Sequence, residues 1–195
     1  MLKEFKPTIL FLAKFFAIYL VFSTLYGLFI ASFDESNLLD PITRFVAVNC
    51  VATASAIGYE TEIVQDDHLR MESEDEQTFD SIWLDNVYAV SVEEGCNGVN
   101  IMILFAAFVV GFGGRLKNML WFIPAGLLFI HLANIGRLLL LSLLNVEWEG
   151  RGFHFFHKYG FTAVLYLAIL VLWYLWVMHL NGKTSLQSKS LSNDA

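Results

Sequence analysis

Apolar residues along this chain gather into long runs separated by short polar stretches, not into the narrow periodic stripes of a soluble domain. A run of about 20 such residues can cross a hydrocarbon core as a helix. Four stretches qualify: about Thr8–Ala31, Gly98–Phe112, Met119–Leu144 and Phe161–Leu180. The second is short unless it takes in the residues just before it, and the third is long enough to tilt. Lys14 is the single charge in the first, close enough to its end to snorkel. That first run follows Lys3 and Lys6 as a signal peptide would, but it continues through Ile30 without a clear small-residue cleavage site, so it is expected to stay as an uncleaved span. A fifth candidate, about Ile42–Ile57, carries Arg44, Asn49 and several Ser, Thr and Ala residues. It is short for a crossing and suits packing against other helices, or a place at the membrane interface.

Basic residues orient the spans. Lys3 and Lys6, Arg115 and Lys117, and Lys183 and Lys189 all fall on one side if the chain crosses four times, and that side is then cytoplasmic. The opposite side receives Ser32–Asn97 and Asn145–Tyr159. The expected architecture is an all-α integral membrane protein, a polytopic helical bundle. It forms one transmembrane domain over residues 1–180, with a small extracytoplasmic segment at 32–97 and a polar cytoplasmic tail at 181–195 that reads as disordered. Within the outer segment, Glu60 to Asp80 is strongly acidic, with Arg70 its one basic residue, and reads as a solvated loop. The following residues, Ser81 to Gly98, alternate apolar and polar side chains around Asp85-Asn86, which predicts a small β-hairpin or extended segment leading into Cys96.

Composition agrees with this pattern. The chain is 56% hydrophobic over 195 residues, more apolar surface than a soluble domain of that size can hide. Its net charge of -7 comes from the one acidic stretch, and the absence of a basic face excludes nucleic acid as a partner class. Two cysteines, Cys50 and Cys96, are too few for a disulfide framework or a cysteine-rich zinc site.

Three features on the outer side carry candidate chemistry. Cys96 lies between Gly95 and Asn97-Gly98, just before the second span. The glycines permit tight turns and close backbone approach, and the start of a helix favours a thiolate, although Glu93 and Glu94 oppose it. An ordinary interfacial cysteine, or one paired with Cys50, is the plainer alternative. Arg137 lies inside the third span, where a charge at mid-helix costs ~2.5–3.5 kcal/mol on insertion scales, so it must face protein or a water-filled cavity. His131, Asn134 and Arg137 are spaced three apart and share one helical face. Either this stripe forms a buried polar site or it hydrogen-bonds helices together. Finally, His154 and His157 stand among aromatic residues where the fourth span begins, and a histidine pairs naturally with a cysteine nucleophile. His154 and His157 are three apart and could hold one metal, but without evident carboxylate partners; no HxxxH or HExxH pair, nucleotide-binding loop or GxSxG elbow appears, so no metal or cofactor is expected.

At these residues the chain resembles the exosortase/archaeosortase family of integral membrane processing enzymes. The matching elements are Cys96-Asn97-Gly98, then Asn134-Ile135-Gly136-Arg137 within a later span, then His157 followed by Gly160, in that order. The resemblance covers about Asp40 to Leu180. Asn97 stands where many members have serine, which is similar to a shorter-chain branch known from Bacteroidetes, and the chain corresponds to the membrane core of the longer fused members. The resemblance implies a cysteine protease/transpeptidase of the inner membrane, with its active site on the extracytoplasmic side. Its partners would be secreted proteins bearing a C-terminal sorting signal with one transmembrane helix, and an acceptor of unspecified identity. It implies Cys96 as nucleophile, His157 as acid and base with His154 as the other candidate, and Arg137 as an electrostatic or orienting group, supported by Asn134 and Asn97. Two other classes remain open on the sequence: a thiol redox membrane protein using Cys50 and Cys96, and a non-enzymatic membrane scaffold.

Overall fold

Helix α1 (Leu2–Asp34) forms over the first apolar run, and helix α4 (Leu116–Glu147) over the third. Both are long and apolar enough to cross a membrane. The computed structural model describes residues 2–34, 39–65, 79–93, 95–151 and 153–181, so most of the acidic stretch, Glu94 and the tail beyond 181 lie outside the described residues. Between α1 and α4 come α2 (Pro41–Ala56), the strands β1 (Thr61–Gln65), β2 (Phe79–Leu84) and β3 (Val87–Glu93), and α3 (Val99–Phe112). After α4, a single helical turn, α5 (Phe153–Phe155), passes through a wide π-helical turn (Phe156–Gly160) into α6 (Phe161–Leu175), and a second π-helical segment covers Trp176–Asn181.

The apolar runs at α3 and α6 are helical as expected but shorter than a full crossing needs. The 14 residues of α3 span about 21 Å at the helical rise, against ~30 Å of hydrocarbon. Its bounds have local causes: the side chain of Asn97 caps its start, and Gly113 and Gly114, both at positive φ (79° and 150°), end it. The chain divides into two compact units, each with its own core.

The described residues of one unit are 2–24, 100–130 and 166–181. Its core is aromatic. Phe105, Val109, Phe122, Ile130, Ile169 and Trp176 are buried together, with Phe108 stacked on Trp173 at 4.2 Å and Phe122 on Trp176 at 5.1 Å. Elsewhere Leu10, Leu20, Leu120, Leu128, Leu170 and Val171 are exposed, an apolar surface that suits lipid. Small residues let backbones approach here. A Cβ on Gly111 would sit 3.1 Å from the backbone N and Cα of Phe15, and backbone atoms cannot swing aside. Gly111→Val should therefore destabilise the protein by ~1–3 kcal/mol, the usual cost of overpacking, read as a lower thermal midpoint in detergent micelles; an unchanged midpoint would contradict this packing of α1 on α3.

The other unit, residues 25–99 and 131–165, is built on a three-stranded antiparallel sheet in the order β1-β2-β3. The anticipated hairpin is present: Leu84 pairs with Val87 and Phe79 with Glu93, and the turn residues Asp85 and Asn86 both have positive φ (50° and 62°), as a two-residue type I′ turn requires. Strand β1 was not anticipated. It pairs with β2 from Thr61↔Leu84 to Gln65↔Asp80, so the acidic stretch begins and ends in sheet instead of being one solvated loop. The two acidic ends differ in environment: Glu62 is exposed, whereas Asp80 is buried.

Helix α2 lies on this sheet. Asp40 caps it, accepting from the amides of Ile42 (2.9 Å) and Thr43 (3.0 Å), with Pro41 in the first turn where a missing N–H costs nothing. Its buried residues Thr43, Val46, Ala47, Cys50 and Ala54 recur at helical spacing. Val46, Ala47, Cys50 and Ala54 pack with Ile82, Leu84, Ala89, Val90 and Val92 of the sheet and Leu138 of α4. The Ile42–Ile57 segment is thus a sheet-packing helix. Asn145 of α4 donates to the carbonyls of Tyr88 (3.1 Å) and Ala89 (3.0 Å), fastening β3 to that helix.

Candidate functional site

Cys96 occupies a tight turn between the end of β3 and the start of α3. Its amide donates to the carbonyl of Glu93 (3.0 Å), and Gly95 and Gly98 on either side adopt φ of 91° and 78°, conformations that only glycine adopts readily. The turn presents Cys96 half-buried, packed against the apolar cluster of α2, the sheet and Leu138.

Two asparagines hold this turn. Asn97 is 1% exposed. Its side-chain NH2 donates to the hydroxyls of Tyr26 and Thr43 (2.7 Å to the latter), and its side-chain oxygen accepts from the amide of Val99 (3.0 Å), capping α3. Asn134 of α4 is fully buried and donates to the carbonyl of Cys96 (2.7 Å). A Cβ on Gly98 would lie 3.4 Å from Cγ of Asn134, an ordinary contact, so glycine at 98 serves the backbone angle.

Arg137 lies one turn further along α4. Its guanidinium donates to the side-chain oxygen of Asn134 at 3.5 Å, a long contact. Its Nε is buried with no hydrogen-bond partner among the described residues. Such an unmet, charged donor is costly to bury, and it is the kind of group that an anionic or strongly polar substrate atom would satisfy. The expected polar stripe therefore splits. Asn134 and Arg137 connect to the Cys96 turn, whereas the His131 ring stacks on Phe45 at 5.5 Å.

His157 sits in the π-helical turn with its side chain exposed. Its ring stacks on Phe153 (5.6 Å, 8° between planes), and Phe153 packs on the same apolar cluster as Cys96. A continuous set of contacts thus leads from the Cys96 turn to this imidazole. The side chain of His154 lies outside the described residues. Among those described, no group of three or more His, Cys, Asp or Glu side chains is arranged to hold a metal ion.

A family model for the transmembrane exosortases (EpsH type) matches residues 7–175, which takes in every residue of this site. The chain belongs to the transmembrane exosortase family. No curated protein and no solved structure matches significantly. The sequence resemblance drawn from Cys96, Arg137 and His157 thus named the right family, and this exosortase-family chain is a membrane protein. Sequence reasoning passed over Tyr26 and Thr43, the hydroxyls that hold Asn97. Tyr26 is buried in an apolar run and Thr43 follows a helix cap, and neither position carries a signal of its own.

Both cysteines of this exosortase-family protein are free thiols. Cys50, within the α2–sheet core, has its thiol pushed up from 9.0 to about 11 by burial, partly offset by the Ser142 hydroxyl. The folded protein therefore keeps a proton that the unfolded chain releases above its own, lower value, so this thiol costs no stability below pH 9. Between pH 9 and about 11 stability should fall by ~2–3 kcal/mol, at 1.36 kcal/mol per unit. Denaturant melts of wild type and Cys50→Ala across that interval check this, since the variant should lack that part of the fall.

Proposed function

We propose that this protein is a membrane-embedded cysteine protease/transpeptidase that removes C-terminal sorting signals from secreted proteins on the extracytoplasmic side of the inner membrane. The observation that carries the proposal is the connected set Cys96–Asn134–Arg137, in which a part-buried arginine, its Nε buried with no partner among the described residues, is linked through Asn134 to the nucleophile's turn.

In this reading Cys96 attacks the scissile carbonyl. The peptide C–N bond breaks, a thioester C–S bond forms, and the thiol proton passes through His157 to the departing amine. Arg137 stabilises the oxyanion as it develops, a role strengthened where water is scarce. An acceptor amine or hydroxyl on a surface glycan or lipid then attacks the thioester and restores the thiol; with water as acceptor the enzyme is a simple protease. The exposed apolar surfaces of α1, α4 and α6 support a bundle in lipid, into which the single transmembrane helix of a sorting signal can dock laterally.

The test is co-expression with a secreted protein that ends in one transmembrane helix and a basic tail, chosen from neighbouring genes. Loss of its C-terminal segment should depend on this protein. His157→Ala should slow that loss by ~10²–10⁴-fold, the usual worth of a general acid–base group, and His154→Ala should slow it less than tenfold. Partners that stay full-length in the presence of wild type would count against the proposal.

A further inference from the structure

We infer that Tyr26 and Thr43 are positioning residues for Cys96, acting through Asn97, an inference that rests on the proposed role of Cys96 as nucleophile. The Cys96 turn is intrinsically soft. Gly95 and Gly98 flank it at φ of 91° and 78°, and glycine gives the backbone freedom in both directions. A nucleophile must nevertheless be held to within a fraction of an ångström of its attack line, so the rigidity has to come from outside the turn.

Asn97 supplies it from one side. A carboxamide has two N–H donors and one oxygen, and here each has a protein partner: the donors go to Tyr26 Oη and Thr43 Oγ1, and the oxygen accepts from the amide of Val99. Because an amide can only accept through its oxygen, the Val99 bond fixes which end faces the two hydroxyls. Those hydroxyls come from different helices, Tyr26 from α1 and Thr43 from α2, and both side chains are buried. Thr43 is itself fixed, since its amide donates to the fully buried cap residue Asp40 (3.0 Å). On the other side, Asn134 holds the Cys96 carbonyl. The residue before Gly98 is thus pinned to two helices while the residue carrying the thiol is pinned to a third. This accounts for a buried asparagine at 97 in a pocket that presents two acceptors: a serine there has one donor for the two hydroxyls.

The test uses the full-length protein in membranes and N-ethylmaleimide as the probe, with the rate of modification read by mass spectrometry on the peptide that contains Cys96. Thr43→Val keeps the shape and removes the hydroxyl, and Tyr26→Phe removes the other. Each should raise the alkylation rate of Cys96 at least threefold, as the half-buried thiol samples open turns, and Thr43→Ser should return it to the wild-type rate. Thermal midpoints measured alongside identify any variant that is unfolded, in which case the other hydroxyl deletion decides. Wild-type or slower rates in both deletions, or a Thr43→Ser that behaves like Thr43→Val, would overturn the inference. Where a processed partner is in hand, the same variants should lower kcat with KM within twofold. The reading of Cys96 as nucleophile fails separately, through retained processing by Cys96→Ala, whatever the alkylation rates show.

Discussion

Cys96→Ala should abolish processing of a C-terminal sorting signal while leaving the protein folded in the membrane. In the proposed mechanism no other group can form the acyl intermediate, so the loss should be on the order of 10³–10⁶-fold, the range seen when a nucleophile is removed. The fold should tolerate the change. Cys96 is only half-buried, and the contacts that shape its turn run through the backbone and through the neighbouring asparagines, not through sulfur. Alanine removes one packed atom from the edge of the α2–sheet cluster, a cost of ~1 kcal/mol. Serine in its place should do no better than alanine for activity, since its hydroxyl is a far weaker nucleophile near neutral pH. A membrane assay that follows shortening of the partner checks both variants against wild type.

Arg137→Ala carries the second large effect, and activity and stability should move apart. Losing one preorganised donor to a developing oxyanion costs ~10²–10³-fold in kcat. Lysine should not restore it. Its compact ammonium cannot keep a contact to Asn134 while pointing a second, fixed N–H at the substrate, as a planar guanidinium does. Stability should be unchanged or improved, because the Nε that alanine removes is buried without a partner among the described residues and a charge in an apolar helix is costly in lipid. Thermal melts of purified Arg137→Ala, paired with the processing assay, separate the two effects. A purely structural polar stripe predicts the reverse pattern, with lower stability and activity falling only in proportion.

Much of this was legible in the sequence because membrane chemistry writes plainly. Long, mostly apolar runs predict α1 and α4, and Asp85-Asn86 between alternating residues predicts the β2–β3 hairpin with its left-handed turn. Strand β1 escaped notice because its charge disguised it: Thr61–Gln65 lies within the acidic stretch, and its pairing with β2 is a long-range fact that local composition does not carry. Helix α2 was ambiguous for a related reason. Its small, weakly polar residues suit close packing of any kind, and only the sheet reveals what they pack on. At the site, Cys96 and Arg137 stood out as costly or unusual, and Asn134 through its spacing from Arg137. Tyr26 and Thr43 did not, since a tyrosine in an apolar run and a threonine after a cap are ordinary until the buried amide of Asn97 is seen between them.

In the proposed mechanism Cys96 carries the acyl group between cleavage and transfer. The most direct measurement is mass spectrometry of the Cys96 peptide after rapid acid quenching of the protein with a partner that it processes. Cys96 should carry a hydroxylamine-labile adduct whose mass corresponds to the newly formed C-terminal end of the partner. Continued processing with no acyl group on Cys96, or an adduct found on Cys50 instead, would contradict it.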